Sequence, residues 1–256
     1  MAKILLLDFE TSPSLAFVWK FWQENVSPKQ VKENSQILSA AWKWLGEDEV
    51  YYAEARKGSD RKVIRPVHAA LEEADIVIAH NAKKFDLPVF NSRSVVNGFG
   101  PPAPYKVVDT LIEARKNFRF GSNSLEFLAQ YLGCTPKQSH KKFPGFELWK
   151  ECLSGNDEAW AELQAYNIQD VLTLEEVYLK LRPWMTRHPN IGVYSEETVP
   201  VCPRCGGNHI NYRGFYRTNI SKFQRFVCKD CGSWGRLRTN EMPKEVMESL
   251  AVGAAD

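Results

Sequence analysis

Residues 3–11, Lys-Ile-Leu-Leu-Leu-Asp-Phe-Glu-Thr, decide the fold. The apolar run ending at Leu7 has no polar alternation, the pattern of a central strand buried on both faces. Asp8 and Glu10 follow at its end, where the strand leaves the core. Residues two apart on a strand point to the same side, so these carboxylates share a face. Carboxylates crowded together either bind protons or gather hard cations, and oxygen donors of this kind suit Mg²⁺ or Mn²⁺.

Two more acids end stretches that read as regular structure: Asp86 in His-Asn-Ala-Lys-Lys-Phe-Asp (residues 80–86) and Asp170 in Ala-Tyr-Asn-Ile-Gln-Asp (residues 165–170). The apolar residues Trp160, Leu163, Val171, Leu174, Val177 and Leu181 recur at helical spacing and predict a long helix over 157–181. Tyr166 and Asp170 lie four apart on it and face the same way. A lone Asp after a strand is usually a turn residue or a cap. Four acids in three such places instead predict a site for two metal ions about 4 Å apart, acting on a phosphate ester. Asp109, in Lys-Val-Val-Asp-Thr-Leu, also ends an apolar run and is read as the cap of the next helix.

In these residues the chain resembles the DEDD superfamily of 3′–5′ exonucleases, in its tyrosine-bearing branch, like the proofreading domains of family B DNA polymerases. Asp8-Phe9-Glu10-Thr11 matches the first motif, Asn81-x3-Phe85-Asp86 the second and Tyr166-x3-Asp170 the third. The histidine branch would carry His where this chain has Ala165. The resemblance covers residues 1–182 and implies an RNase H-like mixed α/β fold. It implies that Asp8, Glu10 and Asp170 hold the metal nearest the nucleophile, that Asp8 also reaches a second metal held by Asp86 through water, and that Tyr166 orients the attacking water. Phe9, Thr11, Asn81 and Phe85 would contact the terminal nucleotide. The expected substrate is single-stranded nucleic acid or a 3′ end, DNA favoured over RNA, and the expected product a nucleoside 5′-monophosphate. Stand-alone members are common in phage and bacterial genomes, which suggests such an origin.

The cysteines carry a second signal. Cys202-x2-Cys205 and Cys228-x2-Cys231 are two knuckles, each followed by Gly. Four thiolates in this spacing predict a closed, structural Zn²⁺ site, the pattern of a zinc ribbon over 201–240; His209 would serve only if one cysteine did not. Cys134 and Cys152 lack a partner spacing and are read as small buried hydrophobes. Within 201–240 eight basic residues, Arg204, Arg213, Arg217, Lys222, Arg225, Lys229, Arg236 and Arg238, meet one acid, Asp230. The window is therefore +7 in a chain whose total is +2, which leaves −5 elsewhere. Interleaved with Tyr212, Phe215, Tyr216, Phe223, Phe226 and Trp234, these charges fit a surface that neutralises phosphates and stacks bases, with Arg213, Arg217 and Arg225 as contacts. Two other readings remain: the aromatics fill the ribbon's core, or the ribbon docks a replication or repair protein.

Several elements complete the expectation. Residues 37–46 and 50–55 read as strands joined across Gly46–Glu49, residues 62–74 as a helix, residues 75–81 as a strand, and residues 124–132 as a helix capped by Asn123 or Ser124 and stopped by Gly133. Residues 183–200 read as a linker and 241–256 as a tail. Phe17, Trp19, Phe21 and Trp22, just after the first motif, read first as core and second as base-stacking groups. Residues 137–142, Lys-Gln-Ser-His-Lys-Lys, read as a basic loop. With 256 residues, 44% of them hydrophobic, the chain can bury a large core. It has no 18-residue apolar span and no signal sequence, so a cytoplasmic enzyme with reduced cysteines is expected, in the host cytoplasm if the gene is viral. Residues 183–256 are too few for a polymerizing domain. A structure-specific endonuclease and a nucleic-acid-binding adaptor remain as alternatives to the exonuclease.

Overall fold

The computed structural model describes residues 2–22, 25–135 and 142–254. They fall into two compact units, Lys3–Tyr178, and Leu179–Asp256 with Met1–Ala2. The elements run β1 (Ile4–Thr11), β2 (Leu15–Ala16), β3 (Val31–Glu33), β4 (Ile37–Trp44), β5 (Tyr51–Glu54), α1 (Arg61–Glu73), β6 (Ile76–Ala79), α2 (Asp86–Val96), β7 (Lys106–Asp109), α3 (Thr110–Asn117), α4 (Leu125–Tyr131), α5 (Glu147–Leu153), α6 (Asp157–Leu181), β8 (Ile210–Arg217), β9 (Lys222–Cys228), β10 (Trp234–Asn240) and α7 (Lys244–Ser249).

The larger unit is the mixed α/β fold expected. Its sheet has the order β5-β4-β1-β6-β7. β1 runs antiparallel to β4 and parallel to β6, and β6 runs parallel to β7. With strands on both sides, β1 buries Ile4 through Leu7 completely or nearly so. Leu5, Leu7 and Phe9 join Ile37, Val63, Ile64 and Phe90 in one core cluster. β1 is longer than its apolar run predicts. β4 stays paired with it as far as Thr11 opposite Ile37, whereas β6 pairs only with Ile4–Leu6. Asp8 and Glu10 thus lie within a strand that has lost its neighbour on one side.

Local signals set the helix ends. Ser124 caps α4 by accepting from the Phe127 N–H at 3.3 Å, and Gly133 follows at φ +63°, a conformation that favours glycine. At the start of α6 the Asn156 Oδ1 accepts from the Glu158 and Ala159 N–H groups at 3.0 and 3.4 Å.

In the smaller unit β8, β9 and β10 form an antiparallel sheet in the order β10-β9-β8. The stretch read as a linker carries two 3₁₀ turns, Arg182–Trp184 and Ile191–Tyr194. It buries Met185, His188 and Ile191. It is tied to the first cysteine knuckle by Ile191 N–H donating to the Pro203 carbonyl at 2.9 Å and by Arg204 donating to the His188 carbonyl at 2.9 Å.

Candidate metal centre and cysteine cluster

β1 and α6 build the acidic site. Across the β1–β4 ladder Asp8 faces Ala41 and Glu10 faces Ser39. Both neighbours are small and fully buried, so nothing bulky keeps α6 from this part of the sheet. α6 reaches it through Asn167, which is fully buried. Asn167 Nδ2 donates to Asp8 Oδ2 at 2.6 Å, while its Oδ1 accepts from Ser39 Oγ at 3.0 Å. Lys43 and Glu175 form a buried ion pair farther along the same strand and helix. Asp170 lies less than one turn beyond Asn167 and is almost fully buried. Asp8, Glu10 and Asp170 each offer one carboxylate oxygen, and all three oxygens lie within 4.8 Å of one another.

The remaining predicted residues lie in different settings. Tyr166 precedes Asp170 by four residues, and its ring meets Trp149 of α5 edge-on with centroids 6.3 Å apart. Asp86 stands outside the group of three. It opens α2, seven positions after β6 ends, so it begins an element where the sequence reading had it end one. Its carboxylate accepts from the Phe9 N–H, which lies beyond the reach of the β6 ladder. Its Oδ2 is buried with no hydrogen-bond partner among the described residues. Burial first, and the charge of Asp109 next to it, push the Asp86 carboxyl up to about 7.

Asp109 is the cap expected. It accepts from the Leu111 and Ile112 N–H groups at the start of α3, and also from Asn81 and Lys83 at 3.2 and 3.0 Å. Those last bonds fix the turn between β6 and α2, where Asn81 sits at φ +71° and its carbonyl accepts from Lys84 and Phe85. Asparagine adopts this left-handed conformation more readily than other side-chain-bearing residues. Phe85 is partly exposed just before α2, and Thr11 is half-buried at the end of β1. The Phe9 ring is buried and stacked on Phe90, leaving only its backbone to meet a ligand.

The trio's chemistry fits a hard divalent cation. Oxygens sharing an octahedral shell with bonds of about 2 Å lie at most about 4 Å apart, so a span of 4.8 Å closes by small side-chain rotations. The orphaned Asp86 Oδ2 adds a buried acceptor in need of a donor or a cation.

The four cysteines also converge. Cys202 and Cys231 Sγ lie 3.7 Å apart, and Cys205 and Cys228 Sγ 3.6 Å. Those separations are far too long for disulfides and match the edge of about 3.8 Å that a tetrahedron with 2.3 Å bonds would have. Backbone N–H groups of Arg204 and Gly207 point at the sulfurs of Cys202 and Cys205, each at 3.4 Å. Gly206 and Gly232 close the two knuckles at φ +77°. His209 instead bonds Asp230 at 2.8 Å. Cys134 and Cys152 are buried and stand outside this group, and burial pushes the Cys152 thiol up to about 12.

One expectation is corrected. Phe17, Trp19, Phe21 and Trp22 are not core: they are 70%, 92%, 92% and 84% exposed. The segment rises on the β2–β3 hairpin, whose base is pinned by Ser12, Ser35 and Gln36 and whose upper end is held by Phe17 N–H to Gln30. The apolar cluster therefore sits on an arm that no second layer among the described residues buries. Of the basic loop, positions 137–141 lie outside the described residues. Sequence reasoning also missed Asn167 and Ser39. The signal available was a polar residue, Asn167, on the apolar stripe of a helix, between Leu163 and Val171.

The fold and the acidic cluster together indicate a nuclease. The model of the RNase H superfamily matches residues 29–182, and the chain belongs to that family. Asp86, Tyr166 and Asp170 fall inside the match, while Asp8 and Glu10 precede it. Among solved structures, the family B DNA polymerase from the hyperthermophilic archaeon Pyrobaculum calidifontis aligns with a TM-score of 0.52 at 17% identity. The alignment covers 72% of this chain and 26% of that one. At this identity the likeness is one of fold, and the chain spans about a quarter of the polymerase. No curated protein matches the chain by sequence. No helix among the described residues is long and apolar enough to cross a membrane.

Proposed function

We propose that the chain is a metal-dependent 3′–5′ exonuclease of the tyrosine-bearing DEDD branch, releasing nucleoside 5′-monophosphates from single-stranded nucleic acid, DNA favoured over RNA. The observation that carries this reading is the convergence of Asp8 and Glu10 from β1 with Asp170 from α6, their oxygens within 4.8 Å, one helical turn from Tyr166. Two Mg²⁺ or Mn²⁺ ions held there would activate the attacking water and stabilise the leaving oxygen. Asp8, Glu10 and Asp170 are the direct ligands and Asp86 acts through water. Tyr166 offers its hydroxyl to the attacking water. Asn167 donates to Asp8 Oδ2 and so fixes the orientation of that carboxylate. Thr11, Asn81, Phe85 and the backbone of Phe9 meet the terminal nucleotide. Cys202, Cys205, Cys228 and Cys231 hold one structural Zn²⁺, a site suited to the reducing cytoplasm, and Arg213, Arg217 and Arg225 contact substrate from the ribbon.

The test is cleavage of 5′-labelled single-stranded DNA and RNA of one sequence with Mg²⁺, Mn²⁺ or no divalent ion, resolved at single-nucleotide steps. A metal-dependent ladder shortening from the 3′ end is expected, abolished by Asp170→Asn and slowed about 10²-fold or more by Tyr166→Phe. A single internal cut would replace the exonuclease by an endonuclease using the same carboxylates. Full cleavage by Asp8→Asn and Asp170→Asn would remove the site.

A further inference from the structure

The smaller unit displays one face that is neither core nor ordinary solvated surface. Cross-strand register sets its membership: Tyr216 is opposite Phe223, Arg236 opposite Arg225, and Trp234 opposite Val227. Because directly paired residues project to the same side, Tyr216, Phe223, Arg225, Trp234 and Arg236 line one face. They interleave. Arg236 stacks over Phe223 with its guanidinium carbon 3.9 Å from the ring centroid and also reaches Tyr216 at 5.6 Å. Arg225 stacks over Trp234 at 4.7 Å.

These aromatics are not the ribbon's core. Of its six aromatic side chains only Phe226 is buried; it lies on the opposite face with its ring against Gly235, where an added Cβ would come within 2.4 Å of it. Tyr216 and Trp234 are about half exposed. The three strands hold six basic residues, Arg213, Arg217, Lys222, Arg225, Arg236 and Arg238, and no acidic one. Asp230, the acid of this region, is engaged with His209. The charge suits a polyanion, and the half-exposed rings with their stacked guanidinium planes suit flat partners. A duplex hides its base faces in the stack, whereas a single strand presents them.

We infer that the Tyr216–Phe223–Arg236–Arg225–Trp234 face binds single-stranded nucleic acid, its unpaired bases stacking on the rings and guanidinium planes and its phosphates meeting the arginines. The choice of nucleic acid as the polyanion rests on the nuclease reading; the face itself acts without cleavage. Among the three ribbon arginines named above, this assigns stacking to Arg225, while Arg217, paired with Lys222, belongs to the other face.

The experiment measures fluorescence anisotropy of a labelled homothymidine strand with the zinc-loaded full chain carrying Asp170→Asn, without Mg²⁺. A fully abasic strand of equal length and a duplex are the comparison probes. The homothymidine strand should bind at least about tenfold tighter than the abasic one, as one or two stacked bases imply. Trp234→Ala should weaken it about fivefold or more. Arg225→Gln and Arg236→Gln should each weaken it and lower the salt slope by about 0.7. The opposite-face pair Arg217→Gln and Lys222→Gln should lower the slope without narrowing the preference over the abasic strand. Zinc content and melting temperature check each variant's fold, and the two arginine variants carry the test if Trp234→Ala disturbs it. Equal binding of the abasic strand, or loss of preference from the opposite face, overturns the proposal in favour of diffuse charge. Binding untouched by the ladder variants overturns it in favour of a protein-docking face. Cleavage that persists beside either result leaves the nuclease reading standing; stacking-dependent binding without any cleavage in the unmodified chain leaves only this one.

Discussion

Asn167 is a buried amide between a hydroxyl and a carboxylate, and its position makes it a positioning residue for Asp8. Asn167→Ala takes one acceptor from Ser39 and the orienting donor from Asp8. Leaving buried groups unsatisfied costs about 1–3 kcal/mol of stability, and losing the orienting bond raises the Mg²⁺ concentration for half-maximal cleavage about 10- to 100-fold. A metal titration unchanged beside a lowered melting temperature would make the role purely structural. Asp86 yields a prediction of opposite sign. Its carboxyl lies near 7 in the fold and near the ordinary carboxylate value when unfolded, so the folded state holds its proton longer. The Asp86 contribution to metal-free stability therefore falls as pH rises from about 4 towards 7, then stays at the lower level, while buried His188, held down to about 4, contributes in the opposite direction. Asp86→Asn should stabilise the metal-free chain on the order of 2 kcal/mol at pH 8 and hardly at all at pH 4. Thermal melts at the two pH values decide it, and a gain that is larger in acid would refute the assignment. The acids were legible because an Asp-x-Glu on an apolar strand is a local pattern. Ser39 and Asn167 were not, since their roles exist only where two distant elements touch.

At the scale of elements, strong periodicity was readable and short segments were not. The α6 span of Asp157–Leu181 coincides with the predicted 157–181 because its apolar stripe is long and its start is capped. β2, β3 and α5 hold two, three and seven residues, too few for any period to emerge. The aromatic arm misled for a related reason: aromatic content favours burial on average, and nothing local says whether a partner layer exists. Its exposure makes a direct prediction. Trp19→Ser with Trp22→Ser should change unfolding free energy by no more than about 0.5 kcal/mol, measured by denaturant titration. A loss of several kcal/mol would mean that the arm's rings are packed in solution.

For the whole molecule, the division into two units predicts two separate responses to metal removal. Among its described residues the cysteine unit has one small sheet and one buried Phe, Tyr or Trp, so a metal held by its four thiolates would supply much of its stability. Purified protein should contain one zinc per chain. Chelation, or Cys231→Ser, should expose residues 201–240 to protease while the core of Lys3–Tyr178 stays protected; a ribbon that resists protease after zinc loss would show that the cysteines are dispensable. The mixed sheet was legible from strand and helix order combined with the motifs, whereas the ties of residues 183–200 to the first knuckle were not, because Pro, His and Asn in that stretch read as linker composition. The layout also has a consequence in time. Asp8 and Glu10 leave the ribosome roughly 160 residues ahead of Asp170, which arrives only near the end of the larger unit. At ordinary synthesis rates the interval is on the order of ten seconds. Until α6 docks on β1 the trio of carboxylates is incomplete, and on the proposed function the growing chain is harmless to whatever nucleic acid surrounds it.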